Sequence, residues 1–287
     1  MINEHLTILE VLTMKTLFLS RLAAMSLVAV TSFASAAVID LADKDDVTGI
    51  YTNTSGAFDS EVTFSADFVS TAGTGVLDPF LRIKRNGNEQ GYNTSVKILP
   101  LDAVSGEKST RDVLISSLVQ TGGVYEFVLD INESIGGSNN LLSLDGLKLY
   151  STSTPSQSGN DIDANGNWIG PTDASLLWDM DLVADNYVLL DAERDNAGSG
   201  AGDMLMSVNA SIINDAPSSE QYFVLWSRLG TSGVTGASAS AGFEEWSTVM
   251  SPVSVVPEPS TIALFGLGLI GVMAVARRRK TSESIQA

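Results

Sequence analysis

Between its two ends, the chain consists of short segments in which apolar and polar residues alternate. In residues 61–69, Val62, Phe64, Ala66 and Phe68 alternate with polar residues. A period of two places the apolar side chains on one face of a β-strand, where they can be buried. Gly-Gly, Asn-Gly and Ser-Gly pairs, which are typical of turns, separate many such segments. Further strands are predicted at residues 81–84, 95–99, 124–131, 144–150, 187–190, 204–213 and 221–228.

This density of short strands predicts an all-β fold, either an antiparallel β-sandwich or a jelly roll. Residues 109–120 are the best helix candidate, because Val113, Leu114 and Leu118 are spaced roughly for one helical face. No internal repeat indicates a solenoid or a propeller. We therefore expect residues 37–253 to form one β domain.

The composition excludes several kinds of chemistry. The sequence has no cysteine, and its one histidine is His5. Because His5 lies upstream of the predicted export signal, the exported protein is expected to have no histidine. Disulfides, cysteine nucleophiles, Ser-His-Asp catalysis and histidine metal sites are then all excluded. This supports a protein that is not an enzyme.

The predicted domain is strongly acidic. Residues 37–256 include 30 Asp and Glu against 10 Lys and Arg, a net charge of about −20, compared with −18 for the whole chain. Such a charge repels nucleic acid, so no nucleic-acid partner is expected. It can also attract divalent cations, since carboxylates suit calcium and magnesium.

The N-terminal residues have the pattern of a secretory signal peptide. Lys15 and Arg21 supply positive charge, and residues 22–33 form an apolar run. Ala34 and Ala36 then provide the small-residue cleavage pattern. The sequence therefore predicts an N-terminal signal helix in residues 1–36, with the Sec translocon and signal peptidase as partners.

The first residues of the chain do not fit that signal well. Glu4 and Glu10 add negative charge where a signal peptide normally carries positive charge. We therefore expect translation to start at Met14, with an unusually long leading region as the alternative.

The C-terminal residues have the features of a short membrane anchor. Residues 261–276 carry no charge, and 16 residues span about 24 Å as a helix, against about 30 Å for a bilayer core. A span this short suits a temporary transmembrane helix, and the basic residues behind it are expected to stay cytoplasmic. Those basic residues are Arg277, Arg278, Arg279 and Lys280.

Pro257, Glu258 and Pro259, followed by the Gly-rich apolar segment and the arginine cluster, resemble the PEP-CTERM sorting signal of Gram-negative bacteria. The similarity covers residues 254–280. It implies recognition by exosortase, a membrane protease-transpeptidase that removes the tail near the Pro-Glu-Pro motif. It also implies association with exopolysaccharide and biofilm. We expect a transient anchor in the inner membrane, then release to the outer envelope or the extracellular matrix.

One polar segment resembles the first half of a calcium loop. Acidic and amide side chains alternate around Gly166, which is the arrangement that lets a tight turn surround a hard cation. Thr172 occupies the position where an EF-hand has Glu, and no predicted helices flank the segment. The alternative is a polar turn within a long linker at residues 151–175. The predicted calcium ligands are Asp161, Asp163, Asn165, Asn167 and Asp173.

Trp168 lies inside the same polar segment and is the best candidate for an exposed aromatic residue that stacks on a sugar. A calcium-assisted carbohydrate-binding module is therefore one alternative function. By contrast, Trp226 alternates within a predicted strand, as a core residue does.

A second alternative is a glycoside hydrolase that uses two carboxylates. Glu244 and Glu245 stand beside Trp246, but neighbouring residues of a strand point to opposite faces, so they cannot act as a pair. One of them would need a distant partner, and the candidates are Asp179, Asp181 and Asp191. The other reading, which we favour, is an acidic sheet edge with a packing tryptophan.

Overall fold

The structure, a computed structural model, describes residues 37–43, 48–53, 60–66, 77–104, 109–133, 140–194, 202–240 and 242–250. These residues contain fourteen β-strands, one 3₁₀ helix and one short α-helix. Several predicted features lie outside the described residues, namely the start at Met14, the cleavage residues Ala34 and Ala36, the motif Pro257, Glu258 and Pro259, the helix at 261–276 and the basic cluster 277–280.

The strands form two sheets, of which sheet A has β9 and β13 at its centre. Its path runs β1-β11-β9-β13-β5, while β10 pairs with β9 and β6 pairs with β13. The β1–β11 pair is parallel, and the other pairs are antiparallel. The strands are β1 (Val38–Asp40), β5 (Glu89–Tyr92), β6 (Val113–Leu114), β9 (Leu141–Thr152), β10 (Ala174–Asp179), β11 (Tyr187–Asp191) and β13 (Tyr222–Leu229).

Sheet B is antiparallel throughout, with the path β2-β3-β12-β8-β14-β4 and β7 paired to β8. A Gly122-Gly123 turn connects β7 to β8. Both glycines have positive φ, at 60° and 89°, as a tight two-residue hairpin turn requires. The strands are β2 (Thr48–Asn53), β3 (Ser60–Ser65), β4 (Leu77–Ile83), β7 (Gln120–Thr121), β8 (Val124–Asp130), β12 (Met204–Asn209) and β14 (Glu244–Val249).

The two sheets pack face to face around one apolar core. Phe127 of sheet B stacks on Phe223 of sheet A with ring centroids 5.2 Å apart, and Phe80 contacts both rings. All three side chains are fully buried. The period-two pattern therefore has its expected consequence, because each strand turns its apolar face toward the opposite sheet. The predicted all-β fold is confirmed.

Seven of the eight predicted strands overlap observed ones, and the prediction at residues 95–99 is wrong. That segment forms no strand, and Ile98 is 84% exposed. The strand predicted at 204–213 ends at Asn209, whose side-chain oxygen accepts a hydrogen bond from the Ser211 amide and caps a short helix, α1 (Ala210–Asn214).

The helix predicted at residues 109–120 is also wrong. The segment forms β6, a 3₁₀ helix (Ile115–Ser117) and the start of β7. Val113 is buried and pairs with Phe223, whereas Leu114 is 42% exposed. The apolar residues thus point in different directions, as in an edge strand. Among the described residues, no helix combines the length and the apolarity needed to cross a bilayer.

Candidate functional site

A 21-residue connection between β9 and β10, residues 153–173, contains most of the predicted ligand-binding residues. We call it the strap. It lies over the face of sheet A that points away from the main core. The period of two explains this face, because Tyr150 and Trp226 alternate with Leu149 and Leu225, which belong to the main core.

Trp168 is the part of the strap that packs against the sheet. Its ring stacks on Tyr92 with centroids 3.8 Å apart and an interplanar angle of 8°, and it meets Tyr150 edge-on at 5.9 Å. Only 1% of Trp168 is exposed. The expectation of an exposed Trp168 is therefore wrong, and a sugar cannot stack on this ring in the observed conformation. With Val224 and Trp226, these residues form a second apolar cluster, the outer cluster.

Hydrogen bonds fasten the strap to sheet A. The Tyr92 hydroxyl donates to the Gly159 carbonyl at 2.9 Å, and Nε2 of the Gln90 side chain donates to the Gly166 carbonyl at 2.9 Å. Arg228 donates to the Asn165 carbonyl at 3.1 Å. These bonds satisfy backbone carbonyls of a loop that lacks regular structure, which explains how so long a connection stays packed.

The predicted calcium ligands take part in the strap's own turns. Asp163 Oδ1 accepts hydrogen bonds from the amides of Asn165 and Asn167, at 2.8 and 2.9 Å. The bond from Asn167 contributes most to holding the pKa of Asp163 below its usual range. Asp173 accepts from the Thr154 hydroxyl, and the Asp161 carbonyl accepts from the Ile169 amide.

Within the described part of the chain, no three acidic, histidine or cysteine side chains converge as metal ligands do. Calcium binding by the strap therefore stays a prediction. Asn167 Oδ1, which is buried without a hydrogen-bond partner, is one oxygen of the predicted set that the turn does not use.

We expect Asp163→Ala to lower the stability of the strap by about 1 kcal/mol, since two amide donors lose their acceptor. For a domain of this size, the thermal midpoint Tm should fall by about 2–4 °C. Asp161→Ala is the matched control, because its exposed side chain lies two residues away while its bonded carbonyl is retained.

The same two variants test calcium. If the ion binds, it should raise the Tm of the wild-type protein, and both variants should lose that rise. A wild-type Tm that does not respond to millimolar calcium would contradict the predicted site.

The other concentration of polar groups lies inside the sandwich at one end, which we call the acidic end. The Trp246 indole of sheet B donates to the Ser227 hydroxyl of sheet A at 3.0 Å and aligns the sheets. Glu244 lies two residues from Trp246 in β14, so its side chain points to the same face of sheet B. In sheet A, Leu229 lies two residues from Ser227 in β13 and pairs with Glu89 of β5.

Glu89 points toward the interior, as Glu244 does. Gly91, two residues along β5 and on the same face as Glu89, has its missing side-chain position 3.0 Å from the core residue Ile83. Both carboxyl groups are buried, with 1% of each residue exposed. The sheets therefore bring together two acidic side chains from distant parts of the sequence.

Each of these carboxyl groups accepts one backbone hydrogen bond at 2.7 Å, Glu89 Oε2 from the Arg85 amide and Glu244 Oε2 from the Asn132 amide. Glu89 Oε1 has no hydrogen-bond partner. Burial raises the pKa of Glu89 to about 7. Burial and then the neighbouring Glu89 raise the pKa of Glu244 well above its usual value.

The carboxylates considered for sugar hydrolysis are placed differently. Glu245 points away from Glu244 and forms an ion pair with Arg82. Asp179 lies 3.3 Å from Lys148. Asp181 accepts from the Asn186 amide, and Asp191 from the Asn140 side chain. The acidic residue whose charge acts most strongly on Glu244 is Glu89, a residue that the sequence pattern does not mark.

An open cleft of about 430 Å³ lies at the opposite end of the sandwich, between the 3₁₀ helix and α1. Glu220 lies on its wall and accepts from the hydroxyls of Ser151 and Ser175. The apolar walls include Ile115 and Ile213. Its single acidic wall residue is already bonded, so the cleft does not have the paired carboxylates that sugar hydrolysis needs.

Comparison with known protein families finds one match. Residues 255–280 match the PEP-CTERM protein-sorting motif. No curated protein and no solved structure matches the chain. The resemblance seen at residues 254–280 is thereby confirmed, although the matched residues lie outside the described part of the structure. The motif implies an exported protein that passes through a membrane-anchored stage and is processed by exosortase.

Proposed function

We propose that this chain is a non-enzymatic component of the outer envelope or extracellular matrix, associated with exopolysaccharide. It would reach that place by signal-peptide cleavage after Ala36 and by removal of its C-terminal tail. The sorting motif at residues 255–280 is the observation that carries the proposal.

Two features of the domain support a structural role. The excess of acidic residues over residues 37–256 favours solubility outside the cell. The buried Glu89 and Glu244 each accept a backbone hydrogen bond inside the sandwich, a position that contributes to packing and is remote from bulk solvent.

The proposal is tested by mass spectrometry of both termini of the protein recovered from an exosortase-containing host. We expect an N-terminus at Ala37 and a C-terminus close to Pro257, because signal peptidase and exosortase would each remove one end. An intact tail on protein recovered from the medium would contradict the processing step.

Glu258→Gln is the variant expected to block removal of the C-terminal tail. It should leave the tail attached and the protein in the membrane fraction, since the motif loses its charge. Pro252→Ala, which removes a proline outside the matched residues, should be processed like the wild type.

The proposed association with exopolysaccharide is tested by a separate experiment. In a host strain unable to make exopolysaccharide, the processed protein should move from the cell-associated matrix into the medium. The same distribution in both strains would exclude this association while leaving the processing result intact.

A further inference from the structure

The acidic end contains a feature that the sorting function does not explain. Glu89 and Glu244 belong to opposite sheets, and both are buried beside the end of β4. Glu244 pairs with Ile83, and Glu89 accepts a hydrogen bond from the Arg85 amide, two residues further along the chain, while Glu89 Oε1 has no hydrogen-bond partner. An ionised carboxylate buried in this way loses its hydration without full compensation, which is energetically costly.

The surroundings of the pair increase that cost. Glu133 and Asp102 act on Glu89, and Glu133 and Asp130 act on Glu244, in every case by repulsion between negative charges. Arg85 is 65% exposed and lies 3.6 Å from Asp102, so its charge is directed to the surface. Other charged groups around this end are Lys84, which is exposed, Asp203, which accepts from the Ile131 amide, and Arg82, which pairs with Glu245 on the outer face.

Two carboxyl groups in one buried region rarely ionise together, because the first charge opposes the second. A proton retained by one of them has a suitable acceptor in the other. Such a hydrogen bond would join sheet A to sheet B directly at this end and would satisfy Glu89 Oε1.

We propose that Glu89 and Glu244 hold one proton between them, and that this shared proton is a pH-dependent contact that closes the acidic end and loosens it in alkaline solution. The direction follows from linkage. The pKa of Glu89 rises on folding from 4.5 to about 7, so the stability that it contributes is complete below pH 4.5 and is lost as the pH rises through 7. The negative charge of Glu89 then helps to raise the pKa of Glu244, so Glu244 keeps the shared proton above pH 7 and loses it only in more alkaline solution.

The test is urea unfolding of the full-length protein in detergent between pH 5 and pH 8.5. The unfolding equilibrium constant of the wild type should rise with pH, by up to about tenfold per pH unit for each retained proton. Glu89→Gln and Glu244→Gln should each weaken that dependence, because an amide does not titrate. At pH 8, Glu89→Gln should unfold with an equilibrium constant at least about tenfold lower than the wild type.

Two controls separate the pair from other groups. Glu245→Gln changes the neighbouring carboxylate on the opposite face and should leave the pH dependence unchanged. Burial also raises the pKa of Asp181 to about 7, so Asp181→Asn should remove a separate part of the pH dependence of unfolding. The part that belongs to Asp181 should add to the effect of Glu89→Gln, whereas the effects of Glu89→Gln and Glu244→Gln should not add, because these two groups titrate as a coupled pair.

The infrared carbonyl band of a protonated carboxylic acid provides a second measurement if a variant fails to fold. The Asp181→Asn protein should show this band at pH 7 and lose it in alkaline solution, which excludes Asp181 as its source. Full wild-type pH dependence in both glutamine variants, or no such band, would overturn the proposal. Stabilisation by calcium at pH 8 that requires Glu89 would also overturn it, since a cation would then occupy the place of the proton.

Discussion

Replacing Trp168 with alanine should lower the free energy of unfolding by about 3–5 kcal/mol, the usual cost of removing a buried tryptophan. The indole is 1% exposed and stacks on Tyr92 at 3.8 Å, so its loss opens a cavity in the outer cluster. The strap should then detach from sheet A, because Trp168 provides its main apolar contact. In thermal denaturation, Tm should fall by about 10 °C.

Ile169→Ala is the matched control for that prediction. Ile169 is the next residue and is 60% exposed, so its truncation should change stability by less than about 0.5 kcal/mol. Limited proteolysis should cut the strap of Trp168→Ala and spare that of Ile169→Ala. Equal stability of the two variants would show that the strap does not depend on the stacked indole.

The second large effect is expected at Gly230, which follows β13. Its φ is +80°, and an added Cβ would lie 2.4 Å from the Gly87 carbonyl oxygen. That oxygen accepts from the Ala239 amide, so the clash falls on a bonded backbone pair that cannot move freely. Left-handed strain of about 1 kcal/mol and overpacking of about 1–3 kcal/mol should together make Gly230→Ala destabilising by about 3 kcal/mol.

Gly233→Ala isolates the strain from the clash. Gly233 has a similar φ of +77°, but nothing lies within 4 Å of its Cβ position. It should therefore lose only about 1 kcal/mol in urea unfolding. Equal losses at the two positions would mean that the clash between the added Cβ and the Gly87 carbonyl oxygen has no cost in stability.

Alternation of apolar residues predicted the strands that face the core. Residues 62–66 and 124–131 alternate because one face meets the opposite sheet. The same signal gives only part of a strand where both faces are covered, as in β9, which was predicted at residues 144–150 and extends over Leu141–Thr152. β9 is buried on nearly every residue, since the strap and the outer cluster cover its second face.

Trp168 and Ile98 show why loop residues were assigned wrongly. The polar neighbours of Trp168 indicate exposure, but a sheet formed by distant residues provides Tyr92 and Tyr150 as packing partners. Ile98 lies in a segment where apolar and polar residues alternate, yet no described strand pairs with it and it remains 84% exposed. The local sequence pattern does not predict contacts that depend on how strands from remote parts of the sequence are aligned.

The acidic end has no sequence signal for the same reason. β5 reads Glu-Gln-Gly-Tyr, which contains no apolar alternation, and Glu89 is 155 residues from Glu244. Only the pairing of β5 with β13, and the contact between Trp246 and Ser227, bring the two carboxyl groups together. A search for buried acidic residues requires the fold first.

The position of β14 in sheet B affects when the domain can fold. β14 is the last strand of the described residues, yet it lies between β8 and β4 and joins β4 to the rest of the sheet. Pairing of residues 77–83 with residues 244–249 has a large sequence separation, which makes folding slow. A chain emerging from a translocon N-terminus first would therefore hold an incomplete sheet B until residue 249 had crossed. Completion of the domain would then coincide with arrival of the C-terminal tail at the membrane.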